Sequence, residues 1–161
     1  MKRPAIPSDD PQMQAAWTAA SAVLDPEIPV LTLEDLGVLR GVERRGGQIV
    51  VKLTPTYTGC PATLVIRLDV EAALHEAGLH DAHVETVLSP PWTTHEITED
   101  GRRKLREFGI APPLESSGEP VRCPRCDSAH TERISEFGST ACKALWRCAD
   151  CREPFDYFKC L

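Results

Sequence analysis

Two Cys-x-x-Cys pairs constrain the last part of the chain more than any other feature of the sequence. The pairs are Cys123/Cys126 and Cys148/Cys151, and the 21 residues between them are one more than the upper end of the usual four-cysteine zinc spacing. Each pair can reach one ion from a tight turn, and four thiolates close a tetrahedron with no open position. Because residues 121–161 are too few to bury a sufficient core, the metal must supply much of their folding free energy. We therefore predict a structural metal site here, with zinc favoured over an iron–sulfur cluster.

Two further cysteines, Cys142 and Cys160, lie outside this pattern. They are either bystanders or additional ligands for a cluster. The aromatic segment Pro154–Lys159 predicts a strand that packs on the two pairs. Since a closed site with four thiolate ligands leaves no place for a substrate, we expect this segment to be an interaction module and not a catalytic one.

The stretch Leu53–Pro61, LTPTYTGCP, carries a cysteine between a strand and a helix. Apolar residues alternate with polar ones up to Leu53, and Pro55 ends this strand because it cannot donate to a sheet. Pro61 suits the first position of a helix, which predicts Cys60 as the N-cap. A thiol there faces unpaired N–H groups and the positive end of the helix dipole, which favour the thiolate. The alternative is that Cys60 is a small buried apolar residue, as most free cysteines are.

The residues before 111 alternate between short helical and strand patterns. A helix begins at Asp10-Pro11, a Gly46-Gly47 turn joins two strands, and a second helix follows Cys60. A third strand and a last helix complete this part. The order predicts an α+β fold in which the helices pack on one face of a small mixed sheet. We expect four apolar side chains to form the buried face of the helix after Cys60: Leu64, Val65, Leu68 and Ala72.

Four carboxylates fall within residues 25–37, namely Asp25, Glu27, Glu34 and Asp35. Such a cluster could bind a hard cation, but its spacing matches no calcium loop. The alternative is that these side chains belong to solvated turns and to a helix cap at Glu34/Asp35. Whether Glu27 lies near Cys60 in space is not decided by the sequence.

Composition divides the chain into residues 1–110, a linker at 111–120 that is rich in proline and serine, and the cysteine-rich domain 121–161. Residues 1–118 carry 17 acidic and 11 basic side chains, whereas residues 119–161 carry seven of each. Neither part offers the basic surface that nucleic-acid binding needs, so we expect no nucleic-acid partner.

The apolar residues never form a run of the roughly 20 that a membrane span requires, so no membrane partner is expected. The N-terminal residues lack the apolar centre of a signal peptide, which favours the cytoplasm. In that reducing compartment, seven cysteines indicate metal ligands or reactive thiols and not disulfides.

Two sets of motifs carry a resemblance to known families. The motifs DPEIP, LEDLGV, LTPTYTGCP, PPWT and GRRKLREFGIAPP resemble the small domain shared by bacterial SufT and the eukaryotic cytosolic iron–sulfur targeting factors. The tail motif SEFGSTACKALWRC, followed by PFDYFKC, is similar to the PaaD family, accessory proteins encoded with the phenylacetyl-CoA epoxidase of aerobic phenylacetate degradation. Together the two resemblances cover nearly all of the chain after the first helix.

The resemblance implies a role in the maturation of metal centres, with Cys60 as the candidate residue for cluster binding or transfer. Glu27, Thr58 and Gly59 are the candidate supporting residues. The implied clients are the di-iron oxygenase and the iron–sulfur reductase of the epoxidase, and a transient iron or iron–sulfur cluster is the implied cargo. Because one thiolate holds a cluster poorly, a homodimer that joins two Cys60 side chains, or a ligand lent by a partner, follows as a corollary.

Other functions compete with this hypothesis. The main alternative is a structural subunit that holds the oxygenase components together. A thiol enzyme would need a base for Cys60, and the sequence identifies none. An oxygenase site of the di-iron type would need Glu-x-x-His pairs on bundle helices, and the sequence contains none. We therefore expect a protein that is not itself an enzyme.

Overall fold

The computed structural model describes residues 9–116 and 118–159. Within these residues the chain divides between Glu96 and Ile97 into two units, each built on its own sheet. The elements of the first unit are α1 (Pro11–Ser21), α2 (Leu33–Leu36), β1 (Leu39–Arg45), β2 (Gln48–Leu53), α3 (Ala62–Glu76) and β3 (His83–Thr86), followed by a 3₁₀ turn at Thr94–Glu96. Those of the second unit are α4 (Glu99–Glu107), β4 (Ile110–Ala111), β5 (Thr131–Ser135), β6 (Lys143–Cys148) and β7 (Pro154–Phe158).

The first unit is a three-stranded mixed sheet in the order β1-β2-β3. Strands β1 and β2 are antiparallel and joined by the Gly46-Gly47 turn, where both glycines have positive φ, as a tight hairpin needs. Strands β2 and β3 are parallel and are connected through α3. Helix α1 starts at the predicted cap, Asp10, and packs on β1, β2 and α3. The predicted α+β class is confirmed.

The segment between α1 and β1 uses its carboxylates to fix the backbone. Asp25 accepts hydrogen bonds from the backbone N–H groups of Glu27 and Ile28, both at 2.8 Å. Thr32 and Asp35 form a reciprocal capping box at the start of α2. The cap at Asp35 agrees with the turn-and-cap interpretation, although Asp25 and Asp35 are buried and not solvated.

Helix α3 forms where expected but buries a different face. Its buried side chains are Ala62, Val70 and Leu74, which face away from the predicted stripe. The four residues predicted to be buried, Leu64, Val65, Leu68 and Ala72, are all exposed. The prediction was wrong because α3 carries apolar residues on both sides, and its periodicity cannot say which side meets the sheet.

The second unit is a four-stranded sheet in the order β4-β7-β6-β5. Strand β7 coincides with the predicted aromatic strand and pairs antiparallel with β6. Helix α4 begins after the cap Thr98 and contacts β4, and β4 pairs in parallel with β7. The division at Glu96/Ile97 therefore falls earlier than the expected boundary at residue 110. The predicted bounds of the two domains, 1–110 and 121–161, and of the linker at 111–120 stay a prediction. None of the helices in the described residues is long and apolar enough to span a bilayer.

Candidate functional site

Cys60 lies on the loop that joins β2 to α3, and its side chain is partly exposed. Its backbone N–H donates to the carbonyl of Tyr57 at 3.3 Å, and its own carbonyl accepts from the N–H of Thr63 at 3.2 Å. Helix α3 begins at Ala62 with Pro61 as its N-cap, so Cys60 precedes the cap by one residue. The predicted N-cap therefore differs by one residue from the assigned one, although Pro61, with φ −65° and ψ −24°, has the helical backbone angles predicted for the first helical position.

The candidate supporting residues lie on two different segments of the first unit. Thr58 and Gly59 are exposed neighbours in the same loop, and Gly59 has a φ of +85° with open space around the position of a Cβ. Glu27 lies in the turn that Asp25 holds, on the connection between α1 and α2. In the described residues, no group of three or more potential metal-ligating side chains includes Cys60 or Glu27. Cys60 therefore has too few potential ligands beside it in these residues to complete the coordination of a metal ion or cluster.

The loop that carries Cys60 emerges at the edge where the two parallel strands end. Strand β2 leads through Thr54 into this loop, and β3 leads into the loop that contains Pro90 and Trp92. Carboxyl ends of neighbouring parallel strands are a common place for binding sites, because loops from different strands meet there. The indole N–H of Trp92 donates to the carbonyl of Leu36 at 2.8 Å, so Trp92 seals the core beneath this edge and does not line a site.

Arg40 ties the two loops together, and sequence reasoning missed it. The register of β1 and β2 shifts between Leu39 and Gly41, so Arg40 is the extra residue of a β-bulge. A bulge re-aims the side chain that it carries. The guanidinium of Arg40 donates to the hydroxyl of Thr54 at 2.9 Å, to the carbonyl of Pro90 at 3.4 Å and to Glu96 at 2.6 Å. The available signal was the Arg40-Gly41 pair inside the strand, since an isolated glycine in a strand often marks a bulge.

The four paired cysteines converge in the second unit. The sulfur atoms of Cys123, Cys126, Cys148 and Cys151 all lie within 4.8 Å of one another. The Sγ–Sγ distance is 3.6 Å between Cys123 and Cys151 and 3.5 Å between Cys126 and Cys148. A tetrahedral zinc with Zn–S bonds of about 2.3 Å requires sulfurs roughly 3.8 Å apart. The sulfur positions therefore fit one tetrahedral ion held by four thiolates.

Local hydrogen bonds favour the thiolate at one of the four cysteines. The backbone N–H of Cys151 donates to Sγ of Cys148 and lowers the pKa of that thiol to about 7, which favours the thiolate that a metal binds. Beside the site, the hydroxyl of Ser128 donates to Asp150 and lowers the pKa of that carboxyl. Asp150 also contacts the ring of His130 at 3.3 Å, so a side-chain network joins the two cysteine turns.

Of the two remaining cysteines, Cys142 does not belong to the four-sulfur group. It is buried, and its Sγ lies 3.0 Å from the hydroxyl of Thr140. Cys160 lies outside the described residues. Their proposed role as additional ligands stays a prediction.

Two family models match the chain, one in each part. Residues 13–88 match the model described as "Iron-sulfur cluster assembly protein". Residues 111–159 match the model described as "PaaD zinc beta ribbon domain". The first match contains Cys60, and the second contains the four converging cysteines.

Similar proteins agree with this division. A protein of Escherichia coli strain K12, named as one of the subunits of 1,2-phenylacetyl-CoA epoxidase, is 51% identical over 156 residues, which cover 94% of each chain. The crystal structure of a domain of unknown function, DUF59, from Bacillus anthracis has 26% identity and a TM-score of 0.50. It covers 56% of this chain and 87% of its own length. The first unit thus has the DUF59 fold.

Proposed function

The chain belongs to the PaaD family. We propose that it is a maturation factor without catalytic activity. It assists the assembly of an iron–sulfur or di-iron centre in the oxygenase or reductase component of the phenylacetyl-CoA epoxidase. Cys60 is the residue that holds the iron or the cluster in transit. The protein acts in the cytoplasm, where these components would be assembled.

The observation that carries the proposal is the setting of Cys60. The thiol is partly exposed, on a loop at the edge where two parallel strands end, in the part of the chain that matches the iron–sulfur assembly model. A residue that gives its cargo away must be reachable and must not be locked in a complete ligand set. Cys60 meets both conditions in the described residues, since no group of three or more potential ligands contains it. A second copy of the chain or the client supplies the missing ligands.

The ribbon has a different task in this proposal. Four cysteines that saturate a tetrahedral ion leave no open position for cargo, so this metal stabilises the fold. The second unit then contributes to recognition of the client, while the first unit carries the cargo. Zinc is the metal that the four-thiolate donor set favours.

The test in cells compares Cys60→Ser with Cys142→Ala, a variant that removes a thiol outside the four-sulfur group. Each variant replaces the wild-type protein in a strain that produces the whole epoxidase. We expect Cys60→Ser to lower the metal content of the client component at least fivefold and epoxidase activity with it, whereas Cys142→Ala keeps both. Unchanged metal content and activity in Cys60→Ser would refute the proposal.

A second test identifies the cargo directly. Wild-type protein and Cys60→Ser are purified without oxygen, and zinc, iron and sulfide per chain are measured together with the absorption spectrum. We expect about one zinc in both proteins and iron with sulfide in wild type only. Equal iron and sulfide in both proteins would show that Cys60 is not their ligand.

A structural component of the epoxidase assembly is the second candidate, and it is supported by the name of the Escherichia coli relative, which calls that protein a subunit. This function predicts that the chain co-purifies with active epoxidase at a fixed stoichiometry. It also predicts that Cys60→Ser leaves that stoichiometry and the client's metal content unchanged. A maturation factor, in contrast, is absent from the finished enzyme.

A further inference from the structure

The side of α3 that points away from the sheet is apolar along three turns. We call this side the α3 outer face. It consists of five exposed residues: Pro61, Leu64, Val65, Leu68 and Ala72. The three large side chains are all exposed: Leu64 to 63%, Val65 to 44% and Leu68 to 55%. The opposite side of the same helix already supplies the contacts with the fold, through Ala62, Val70 and Leu74.

A surface helix that packs on a sheet needs one apolar stripe, and its other side is ordinarily polar. On α3 the second stripe follows helical spacing as strictly as the buried one does, at positions i, i+3, i+4, i+7 and i+11 counted from Pro61. Single exposed apolar residues are common, but a contiguous row of them marks an interaction site. The outer face is therefore suited to burial against another molecule.

We propose that the α3 outer face docks into an apolar groove of a partner protein and that the rim of this groove is basic. The spacing i, i+3, i+4, i+7 is the set of anchors by which one amphipathic helix fills a groove in another protein. Here Pro61, Leu64, Val65 and Leu68 occupy these four positions. The helix is held in place by its buried side, so it enters the groove already folded and loses little conformational entropy on binding.

The charges beside the stripe give the sign of the rim. By helical geometry Asp69 and Glu76 flank one side of the outer face, and Arg67 with Glu71 flanks the other. Arg67 donates to Glu71 at 2.9 Å, and this ion pair offsets the charge of the arginine. Three carboxylates against one guanidinium leave the flanks net negative. A groove with basic residues at its rim is the complementary partner.

The size of the face argues against a second copy of this chain as the occupant. A stable interface involves about 20–30 residues on each side, whereas the outer face offers three large and two small side chains. It is sufficient for a transient complex but not, on its own, for a lasting dimer. A carrier that must leave its client after delivery needs an interface of this kind.

The position of the face links it to the site. Its first residue, Pro61, directly follows Cys60, so a groove that covers Pro61 and Leu64 brings its own side chains close to the thiol. This inference rests on the proposed function in naming the partner as the client that receives metal. The docking itself requires no cargo on Cys60, and this independence allows the two proposals to fail separately.

The experiment measures binding of the full chain to the immobilised oxygenase and reductase components of the epoxidase, each prepared without metal. The test variant is Leu64→Asp combined with Leu68→Asp, and a milder variant, Leu68→Gln, guards against misfolding. Leu24→Asp is the matched control, because Leu24 is 49% exposed but lies outside the face. We expect the double variant to raise the Kd for one component at least tenfold, Leu68→Gln to raise it severalfold, and Leu24→Asp to leave it unchanged.

Two additional arms make the outcome decisive. Reversing the flank with Asp69→Lys and Glu76→Lys should weaken binding, and the loss should shrink at high salt because screening removes the charge contribution. Cys60→Ser should bind as wild type does, even where it fails to deliver metal. Unchanged binding by the folded double variant would overturn the proposal, as would wild type that binds neither component. It would equally be overturned if sedimentation showed a stable wild-type dimer that the double variant converts to monomer.

Discussion

The guanidinium of Arg40 donates to the carboxylate of Glu96 at 2.6 Å, and both side chains are almost fully enclosed, with 13% and 12% of their surface exposed. This ion pair joins a bulge in β1 to the 3₁₀ turn after the Pro90 loop. Because Arg40 also holds Thr54, where the Cys60 loop begins, the pair fixes the base of the candidate site. Oε1 of Glu96 is buried and has no hydrogen-bond partner in the described residues. The enclosed carboxylate therefore depends on its contact with Arg40, through Oε2.

We predict that Arg40→Gln lowers the free energy of unfolding by about 2–4 kcal/mol, because it leaves the Glu96 carboxylate enclosed without its partner. Urea denaturation measures the change. Arg45→Gln is the control, since Arg45 forms ion pairs with Glu43 and Glu85 but its side chain is 57% exposed. Its loss should be less than about 1 kcal/mol. Equal effects of the two substitutions would contradict the structural role of Arg40.

Gly37→Ala should destabilise the first unit by two separate mechanisms. Gly37 ends α2 with φ at +70°, and a Cβ there would overlap the carbonyl oxygen of Glu96. Gly78→Ala provides the comparison, because Gly78 has φ at +80° but open space around it. We expect roughly 1 kcal/mol of loss for Gly78→Ala and at least about 2 kcal/mol for Gly37→Ala, measured by thermal or urea unfolding. A loss for Gly37→Ala no larger than that for Gly78→Ala would mean that the backbone of Glu96 shifts to accommodate the added Cβ.

Cys148→Ser should abolish the metal of the ribbon. Cys148 is fully buried among the other three sulfurs, so its loss breaks the tetrahedral set. We expect zinc to fall from about one per chain to near zero, with loss of the near-ultraviolet circular dichroism of Trp146 and Tyr157, whose rings pack edge to face in this unit. Cys142→Ala should retain the zinc. Full zinc content in Cys148→Ser would exclude the four-cysteine site.

Asp10 should contribute pH-dependent stability. Its hydrogen bond with Arg44 lowers its pKa below the ordinary 3.8, and the N–H groups of Met13 and Gln12 act in the same direction. A carboxyl whose pKa is lowered by folding stabilises the protein above its unfolded value and loses this contribution as the pH falls through the folded value. Asp10→Asn, which keeps the cap but not the charge, should therefore reduce stability at pH 7 and flatten the decline below about pH 4. Parallel pH curves for both proteins would contradict this assignment.

Lys143 and Asp156 should respond asymmetrically to substitution. The Lys143 side chain is only 5% exposed, and its ammonium lies 3.7 Å from the Asp156 carboxylate. Asp156→Asn leaves a buried cation without its counterion and should cost about 2–4 kcal/mol, whereas Lys143→Met should change stability by less than about 1.5 kcal/mol. Chemical denaturation of both variants measures the two changes in the free energy of unfolding, and zinc content serves as a check on folding. A larger loss for Lys143→Met would show that the ammonium itself stabilises the ribbon.

Local patterns in the sequence predicted the elements well where the cause of the structure is local. The cap at Asp10, the Gly46-Gly47 turn and the strand at Pro154–Phe158 each follow from preferences of the residues themselves. Strand β4 was missed because two residues in a proline-rich stretch carry no strand pattern, and Ile110–Ala111 is a strand only through its pairing with β7.

The candidate site also has features that follow from local sequence and features that depend on long-range packing. Spacing alone was sufficient to identify the four cysteines, because a metal that binds four thiolates imposes a fixed arrangement of turns. Arg40, Thr54 and Glu96 could not be connected in this way, since they are distant in the chain and meet only when the bulge in β1 directs the arginine towards the parallel edge.

Sequence patterns were sufficient to predict a ribbon with four converging cysteines, a mixed sheet with helices, and a cysteine between a strand and a helix. These features depend on residue type and spacing over short distances. The buried side of α3, in contrast, depends on how distant parts of the chain pack together. Both sides of that helix are apolar, and its packing against α1 and β3 buries Val70 and Leu74 and leaves Leu64 and Leu68 exposed to solvent. Periodicity records that a helix has an apolar side, whereas the packing of distant elements selects the side that faces the core.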